Sequence, residues 1–122
     1  MTNLKKNDLK DRTKSFAHDC IKITAQLSND YLSNHIKKQL IRSSTSVAAN
    51  YRATCIAQSK KAFIAKISIV IEEIDESLFW IEFIQDENLL LPESCKSLLK
   101  EADELTRIFI SSRKTANLNL NN

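Results

Sequence analysis

The sequence contains 122 residues, of which 43% are apolar and 27% charged, and its formal net charge at pH 7 is +3. These proportions are typical of a soluble globular domain and exclude an intrinsically disordered chain. No apolar run approaches the roughly 18 residues that cross a bilayer, and the first residues lack the apolar stretch of a signal peptide, so we expect one cytoplasmic domain over residues 1–122.

Glycine is absent from the sequence and proline occurs once. Tight β-hairpins need the positive backbone torsions that glycine supplies, so a strand-rich fold is disfavoured and we predict an all-α chain. The three cysteines, Cys20, Cys55 and Cys95, are odd in number and widely spaced, and no Cys-x-x-Cys pair occurs. We therefore expect reduced, mostly buried thiols.

Two helices are predicted in the first half of the chain. Apolar residues recur at three- and four-residue steps with charged residues between them, which predicts an amphipathic helix over about residues 8–29. Ser33 is a candidate N-cap for a second helix, over about residues 34–56. A run of small residues in the middle of this second helix would let a neighbouring helix approach closely.

Two more helices are predicted in the second half. Ser59 is the expected N-cap of the longest helix, over about residues 60–87, and Pro92 suits the first position of a fourth, over about residues 92–116. The tail, residues 117–122, is expected to fray. Four helices with short connections favour an antiparallel up-down-up-down four-helix bundle. A two-hairpin unit that completes its core only by oligomerising is the alternative.

The third predicted helix has more apolar residues than one seam of a small bundle can cover. Besides that seam it carries Ile69, Phe79 and Phe83. A helix that is apolar on more than one side needs more than one partner surface. We therefore expect these three residues to lie in a subunit interface of a homo-oligomer.

Charge is distributed unevenly along the sequence. Residues 1–58 carry ten Lys or Arg and four Asp, a balance of +6, whereas residues 59–122 carry eight Lys or Arg and eleven Asp or Glu, a balance of −3. The two halves can complement each other within or between subunits, or the first half can present a basic face to nucleic acid. The residues predicted for such a face are Lys5, Lys6, Lys10, Arg12, Lys14, Lys37 and Lys38.

The sequence lacks the patterns of metal sites and common catalytic sites. Neither His18 nor His35 follows a glutamate by three positions, as the Glu-x-x-His pairs of a four-helix di-iron site require. There is no Gly-x-Ser-x-Gly turn, and a chain without glycine has no phosphate-cradling loop. We therefore expect no enzyme activity, no metal and no cofactor.

Polar residues predict a contact between the second and third helices. An arginine that is buried or half-buried needs a carboxylate partner, and the third helix offers Glu73 and Glu76 to Arg42. We predict a polar clamp that fixes the register of the two helices. The alternative is that all of these side chains are exposed.

Three stretches of sequence form a combined motif. They are QLIRSSTSVAANYR at residues 39–52, SKKAFIAKI at residues 59–67 and EIDESLFW at residues 73–80. Together they resemble the four-helix-bundle family of 23S rRNA intervening-sequence proteins, which also includes the accessory variability determinant of diversity-generating retroelements. The resemblance covers about residues 8–115. The family's motif positions fall on Gln39, Arg42, Ser43, Asn50, Tyr51, Arg52, Glu73, Glu76 and Trp80 of this sequence.

The sequence departs from the family pattern at two places. It follows the Asn-Tyr-Arg branch of the family, at Asn50, rather than the commoner Asn-Ile-x-Glu-Gly form. It also has Ser77 where threonine is frequent. Because this sequence lacks the Glu-Gly turn, the resemblance does not imply any role that depends on that turn. The expected fold does not depend on it.

The resemblance implies an antiparallel four-helix bundle assembled as a barrel-shaped homopentamer. In the retroelement branch the pentamer binds a reverse transcriptase and nucleic acid, whereas the intervening-sequence branch has no established biochemical activity. We therefore expect a non-enzymatic oligomer that binds RNA, DNA or a nucleic-acid-bound protein through basic surfaces repeated by symmetry. The alternative is a structural or adaptor protein whose acidic second half and aromatic residues Phe79, Trp80 and Phe83 bind a protein partner without nucleic acid.

Overall fold

Four helices account for most of the chain in the computed structural model, which describes the backbone of residues 2–121 and the side chains of residues 8–120. They are α1 (Thr2–Thr24), α2 (Tyr31–Cys55), α3 (Lys60–Asp86) and α4 (Pro92–Asn121). No strand occurs within residues 2–121, so the predicted all-α class is confirmed. No helix in that range combines the length and the apolar character that crossing a membrane requires.

Consecutive helices pack side by side in an antiparallel order. Each helix contacts its neighbour along the chain, and a smaller seam between α1 and α4 closes the bundle. His35, near the start of α2, meets Trp80, near the end of α3, with ring centroids 5.5 Å apart. The Lys60 ammonium, at the start of α3, lies 3.5 Å from the Asn119 carbonyl oxygen, near the end of α4. The result is an up-down-up-down four-helix bundle.

Local capping chemistry sets the starts of the central helices. Asp30 caps α2, because its carboxylate accepts a hydrogen bond from the Ser33 amide at 2.8 Å; Ser33 itself lies buried inside the first turn. Ser59 caps α3, as predicted, by accepting a hydrogen bond from the Ala62 amide at 3.0 Å. Asn88 adopts a φ of 55° in the turn before α4. In a chain without glycine, asparagine takes this left-handed position at low steric cost.

Four helix boundaries differ from the predicted positions by three residues or more. α1 begins at Thr2 rather than near residue 8, and α2 begins at Tyr31 rather than near residue 34. α1 ends at Thr24 rather than near residue 29, because the Leu27 amide bonds to the Thr24 carbonyl in a tightened turn at 3.1 Å. α4 continues to Asn121 through the segment that was expected to fray. The contact of the Lys60 ammonium with the Asn119 carbonyl ties this last part of α4 to the start of α3.

One apolar core runs through the bundle and draws on all four helices. Burying a large apolar side chain stabilises a fold by roughly 1.5–3 kcal/mol. The core closes within a single chain, so the two-hairpin alternative does not describe this fold. The largest fully buried side chains include Phe16 from α1, Ile36 and Leu40 from α2, Ile74 and Ile81 from α3, and Leu105 and Phe109 from α4.

Small polar residues occupy the contact between α2 and α3. Ser43 and Ser77 are fully buried, and the Ser77 hydroxyl donates to the Ser43 hydroxyl oxygen at 2.9 Å. Small side chains let two helices approach closely. This close approach positions Arg42, the residue next to Ser43, against α3.

Candidate functional site

A basic groove lies on the outer surface between α1 and α2. It is an open groove of about 460 Å³. Two alanines provide small side chains for its floor, and three cations and one carboxylate provide its charge. The lining residues are Lys10, Asp11, Lys14, Ala48, Ala49 and Arg52. We call this the α1–α2 groove. Its chemistry suits an anionic ligand that approaches from solvent.

The predicted basic residues do not form one patch. Lys10 and Lys14 lie in the α1–α2 groove. Lys37 and Lys38 lie near the start of α2, about 21 Å along the helix from Arg52 at 1.5 Å per residue. A ligand that contacts both clusters must therefore extend along α2. Two further predicted residues, Lys5 and Lys6, have side chains outside the described residues.

Arg12, also predicted for the basic face, is instead part of the seam between α1 and α4. Its Nε donates to Glu101 at 3.0 Å and its Nη2 donates to Glu104 at 3.1 Å. Two carboxylates therefore offset the charge of this guanidinium. Arg12 closes the α1–α4 seam and does not extend the α1–α2 groove, because the facing helix supplies acidic partners.

The structure brings the predicted clamp residues Arg42, Glu73 and Glu76 together. The Arg42 guanidinium lies 3.1 Å from a Glu73 carboxylate oxygen and also pairs with Glu76. Glu73 is largely shielded, with 15% of its side chain exposed, whereas half of the Arg42 side chain is exposed. The contact is therefore a partly solvated one, and solvent screens its charges.

Glu76 connects the arginine to an aromatic residue. The Trp80 indole donates to the Glu76 carboxylate at 3.2 Å. The Arg42 hydrogen bond lowers the pKa of Glu76, partial burial opposes that effect, and the Trp80 hydrogen bond adds to it. The ionised form of Glu76 is therefore the one that this arrangement stabilises.

The remaining motif residues of α2 serve other contacts. Asn50 donates to the Ser46 carbonyl at 2.9 Å within its own helix, and Tyr51 packs in the core with its ring centroid 5.1 Å from that of Phe109. Gln39 is half-buried. Arg52 lies in the α1–α2 groove, since ten positions place it about 80° around the helix from Arg42. The different directions of Arg42 and Arg52 could have been predicted from the sequence, because each residue of an α-helix advances about 100° around its axis.

Aromatic rings form a partly exposed cluster near the end of α3. Phe79 is 51% exposed, and its ring centroid lies 4.9 Å from that of Trp80 and 5.8 Å from that of Phe83. We call these three residues the aromatic cluster. Ile69 is also exposed, by 42%, but it lies about 15 Å back along α3. Ten positions also place Ile69 about 80° around the helix from Phe79, so these are two separate apolar spots on the exposed part of α3, with exposed Glu72 and Asp75 between them.

Titratable side chains near the core offer little reactive chemistry. Among residues 8–120, no three His, Cys, Asp or Glu side chains are grouped so that they could hold a metal ion. Burial raises the pKa of the Cys20 thiol to about 12, and a hydrogen bond with Ser44 opposes that shift. The thiol stays protonated at neutral pH and is a poor nucleophile.

Arg42 and Glu76 are expected to be energetically coupled. We predict that Arg42→Gln, Glu76→Gln and the double variant give a coupling free energy of about 1 kcal/mol in urea unfolding, the upper end for exposed ion pairs, because Arg42 meets two carboxylates. The matched control is Arg107→Gln with Asp103→Asn, an exposed pair on α4 whose coupling should be about 0.3 kcal/mol. Strictly additive losses at Arg42 and Glu76 would contradict the clamp.

Stability should depend on pH through Glu76. A carboxylate with a lowered folded-state pKa contributes stability that is present above its unfolded pKa of about 4.3 and is lost as pH falls through the folded value. The free energy of unfolding of the native chain should therefore exceed that of Glu76→Gln at neutral pH, and the difference should shrink between about pH 5 and pH 3. Urea unfolding at fixed protein concentration measures it. A difference that stays constant over this range would show that the ionised carboxylate is not the stabilising form.

The sequence and the fold are similar to known proteins. Residues 5–111 match the family model described as 23S rRNA-intervening sequence protein. The structure is also similar to the crystal structure of a protein of unknown function from the S23 ribosomal protein family of Bacteroides thetaiotaomicron VPI-5482. That protein is 30% identical, the TM-score is 0.81, and the match covers 90% of this chain and 98% of that chain. Among curated proteins, none matches. Since the family match extends from α1 well into α4, the chain belongs to the 23S rRNA-intervening sequence protein family.

Proposed function

We propose that this protein is a non-enzymatic, oligomeric helical bundle of the cytoplasm that binds RNA, DNA or a nucleic-acid-bound protein through its first hairpin, which α1 and α2 form; α3 and α4 form the second hairpin. The observation that carries this proposal is the α1–α2 groove, where Lys10, Lys14 and Arg52 surround a floor of small residues. Contacts from Lys and Arg to phosphates supply most of the sequence-independent affinity for nucleic acid. The groove offers such contacts to a ligand from solvent.

The contrast with the other arginines of the first hairpin supports this assignment. Arg12 and Arg42 are each held by two glutamates from the second hairpin. The α1–α2 groove instead has three cations facing the single carboxylate of Asp11. The groove therefore has a local balance of +2, out of +6 for residues 1–58, at a place where an external anion can reach it.

The proposed assembly is a barrel-shaped homopentamer, the number five coming from the family resemblance of the sequence. Exposed apolar residues on α3, Ile69 and Phe79, support burial of this side in a subunit interface. Cyclic symmetry would repeat the α1–α2 groove around the ring, and repeated modest charges sum to a strong positive potential.

A second candidate function is that of an adaptor that binds a protein partner, for which the family resemblance offers a reverse transcriptase. The aromatic cluster favours this candidate, because Phe79 is exposed beside the partly buried Trp80 and Phe83, and Phe and Trp side chains are enriched in protein contacts. Nuclease treatment separates the two candidates. A partner that remains bound to the protein after nuclease treatment of an extract favours the adaptor.

Binding to labelled nucleic acid should fall steeply with salt. Three cations in one groove predict a slope of about −2.7 per engaged groove in a plot of log affinity against log salt concentration, or roughly a 40-fold loss for each groove between 50 and 200 mM salt. Fluorescence anisotropy with a structured RNA and with a DNA of the same sequence measures this slope. No binding to either at micromolar protein in low salt would overturn the proposal.

The oligomer should depend on the outer side of α3. We expect sedimentation of the native chain at five times its 13.9 kDa mass, and a shift toward smaller species for Phe79→Ser, because the variant removes apolar surface from the interface. Leu91→Ser is the matched control, since it removes an exposed apolar side chain from the loop before α4. A native chain that sediments as a monomer would contradict the assembly.

A further inference from the structure

We propose that the α1–α2 groove recognises the phosphate backbone of a nucleic-acid duplex in preference to a single strand. This inference rests on the proposed function and specifies its ligand. Three features of the described residues lead to it: the aromatic residues of the two helices, the spacing of the cations, and the position of Asp11.

The phenylalanine and tyrosine rings of α1 and α2 lie away from the α1–α2 groove. Among the described residues of these helices, Phe16 and Tyr51 are buried in the core. Tyr31 is 93% exposed, but it is the first residue of α2, about 31 Å along the helix from Arg52. Proteins that bind single strands stack successive bases on aromatic side chains. No phenylalanine or tyrosine ring in the described part of these helices lines the groove, and the one ring near it is that of exposed His18, one turn after Lys14.

A ligand bound by charge alone is favoured when its charges are dense and already ordered. A duplex carries one phosphate per about 1.7 Å of its axis, twice the density of one of its strands, and it stays straight over about 50 nm. A flexible single strand must lose conformational entropy at each contact. The groove therefore discriminates in favour of the duplex, without reading its bases.

The spacing of the cations fits a stiff, extended polyanion. Lys10 and Lys14 are one helical turn apart, about 6 Å, which spans about two phosphates of one strand. Arg52 faces them across the groove from α2. Lys37 and Lys38 lie about 21 Å further along the same helix, so a straight duplex lying along α2 contacts both clusters.

Asp11 gives the groove a property that a simple basic patch lacks. Its carboxylate lies among the three cations and repels an approaching phosphate. Each groove is therefore a moderate site, and the affinity of the assembly comes from several grooves engaged together. Removing this one negative charge should strengthen binding, an effect that general damage to the fold does not produce.

The test compares the full-length chain and its variants on four probes in low salt: an RNA duplex of about 20 base pairs, a DNA duplex of the same sequence, and an unstructured single strand from each. We expect duplexes to bind at least about tenfold more tightly than single strands, as measured by fluorescence anisotropy. The two duplex arms show whether A-form RNA or B-form DNA fits better. Asp11→Asn should raise duplex affinity about threefold, whereas Asp75→Asn, the same charge change at an exposed site on α3, should change it far less.

The loss variant is Lys14→Gln with Arg52→Gln. It should reduce the magnitude of the salt slope by about 1.8 per engaged groove, and the charge-matched control Lys96→Gln with Lys100→Gln on α4 should leave the slope near that of the native chain. Circular dichroism establishes that each variant is folded before it is compared.

Three results would overturn the inference: single strands binding as tightly as duplexes, single-strand binding that His18→Ala abolishes, or groove variants that behave as their controls do. His18 is included because it is exposed one turn after Lys14 and histidine rings can stack on bases. In the first two cases the proposed nucleic-acid function stands and only the duplex assignment falls. If the groove variants bind as their controls do, the α1–α2 groove is not the binding site, and the proposed function loses the observation that carries it. If none of the four probes binds, the proposed function fails together with the inference.

Discussion

The close approach of α2 and α3 is the constraint on which the rest of the structure depends. Buried Ser43 and Ser77 occupy positions where larger side chains would hold the helices apart. Each hydroxyl has a backbone carbonyl partner in its own helix, and the hydrogen bond between the two hydroxyls links α2 to α3. A larger apolar pair here would bury more surface but separate the helix axes. That separation would carry Arg42 away from Glu73 and Glu76, so the surface clamp depends on the small residues beneath it.

The same packing decides which side of α3 remains open. Ile74 and Ile81 are fully buried and face the core, whereas Phe79 and Ile69 lie on the outer side of the helix. A helix at the surface of a bundle can hide one apolar stripe, and α3 carries apolar residues beyond that stripe. The exposed aromatic surface follows from a sequence with more apolar faces than one chain can cover, which is why the proposed assembly places a second copy there.

Much of the fold could be predicted from the sequence because its signals are local. Periodicity located the four helices, and Ser59 marked a start through its own hydrogen bond. Ser33 was a wrong N-cap because the aspartate three positions earlier, Asp30, accepts its amide. The role of Arg12 was beyond local reasoning, since its partner Glu101 lies 89 positions away and only the packing of α1 against α4 brings them together.

The net charge of a segment overstates the charge that is free to bind a ligand. Both arginine pairs run from the first hairpin to the second, Arg12 to two glutamates of α4 and Arg42 to two glutamates of α3. The planar guanidinium suits such double contacts, whereas a lysine ammonium keeps its hydration more readily. Ion pairs between the two hairpins therefore neutralise part of the uneven charge within one chain. Of the charge that remains, one part lies on the α1 side of α2, where Lys10, Lys14 and Arg52 face solvent across a floor of small residues. Another part lies near the start of α2, at Lys37 and Lys38. Complementarity within the chain and the proposed basic face thus draw on one uneven charge distribution, and the helix that a cation faces decides which of the two it serves.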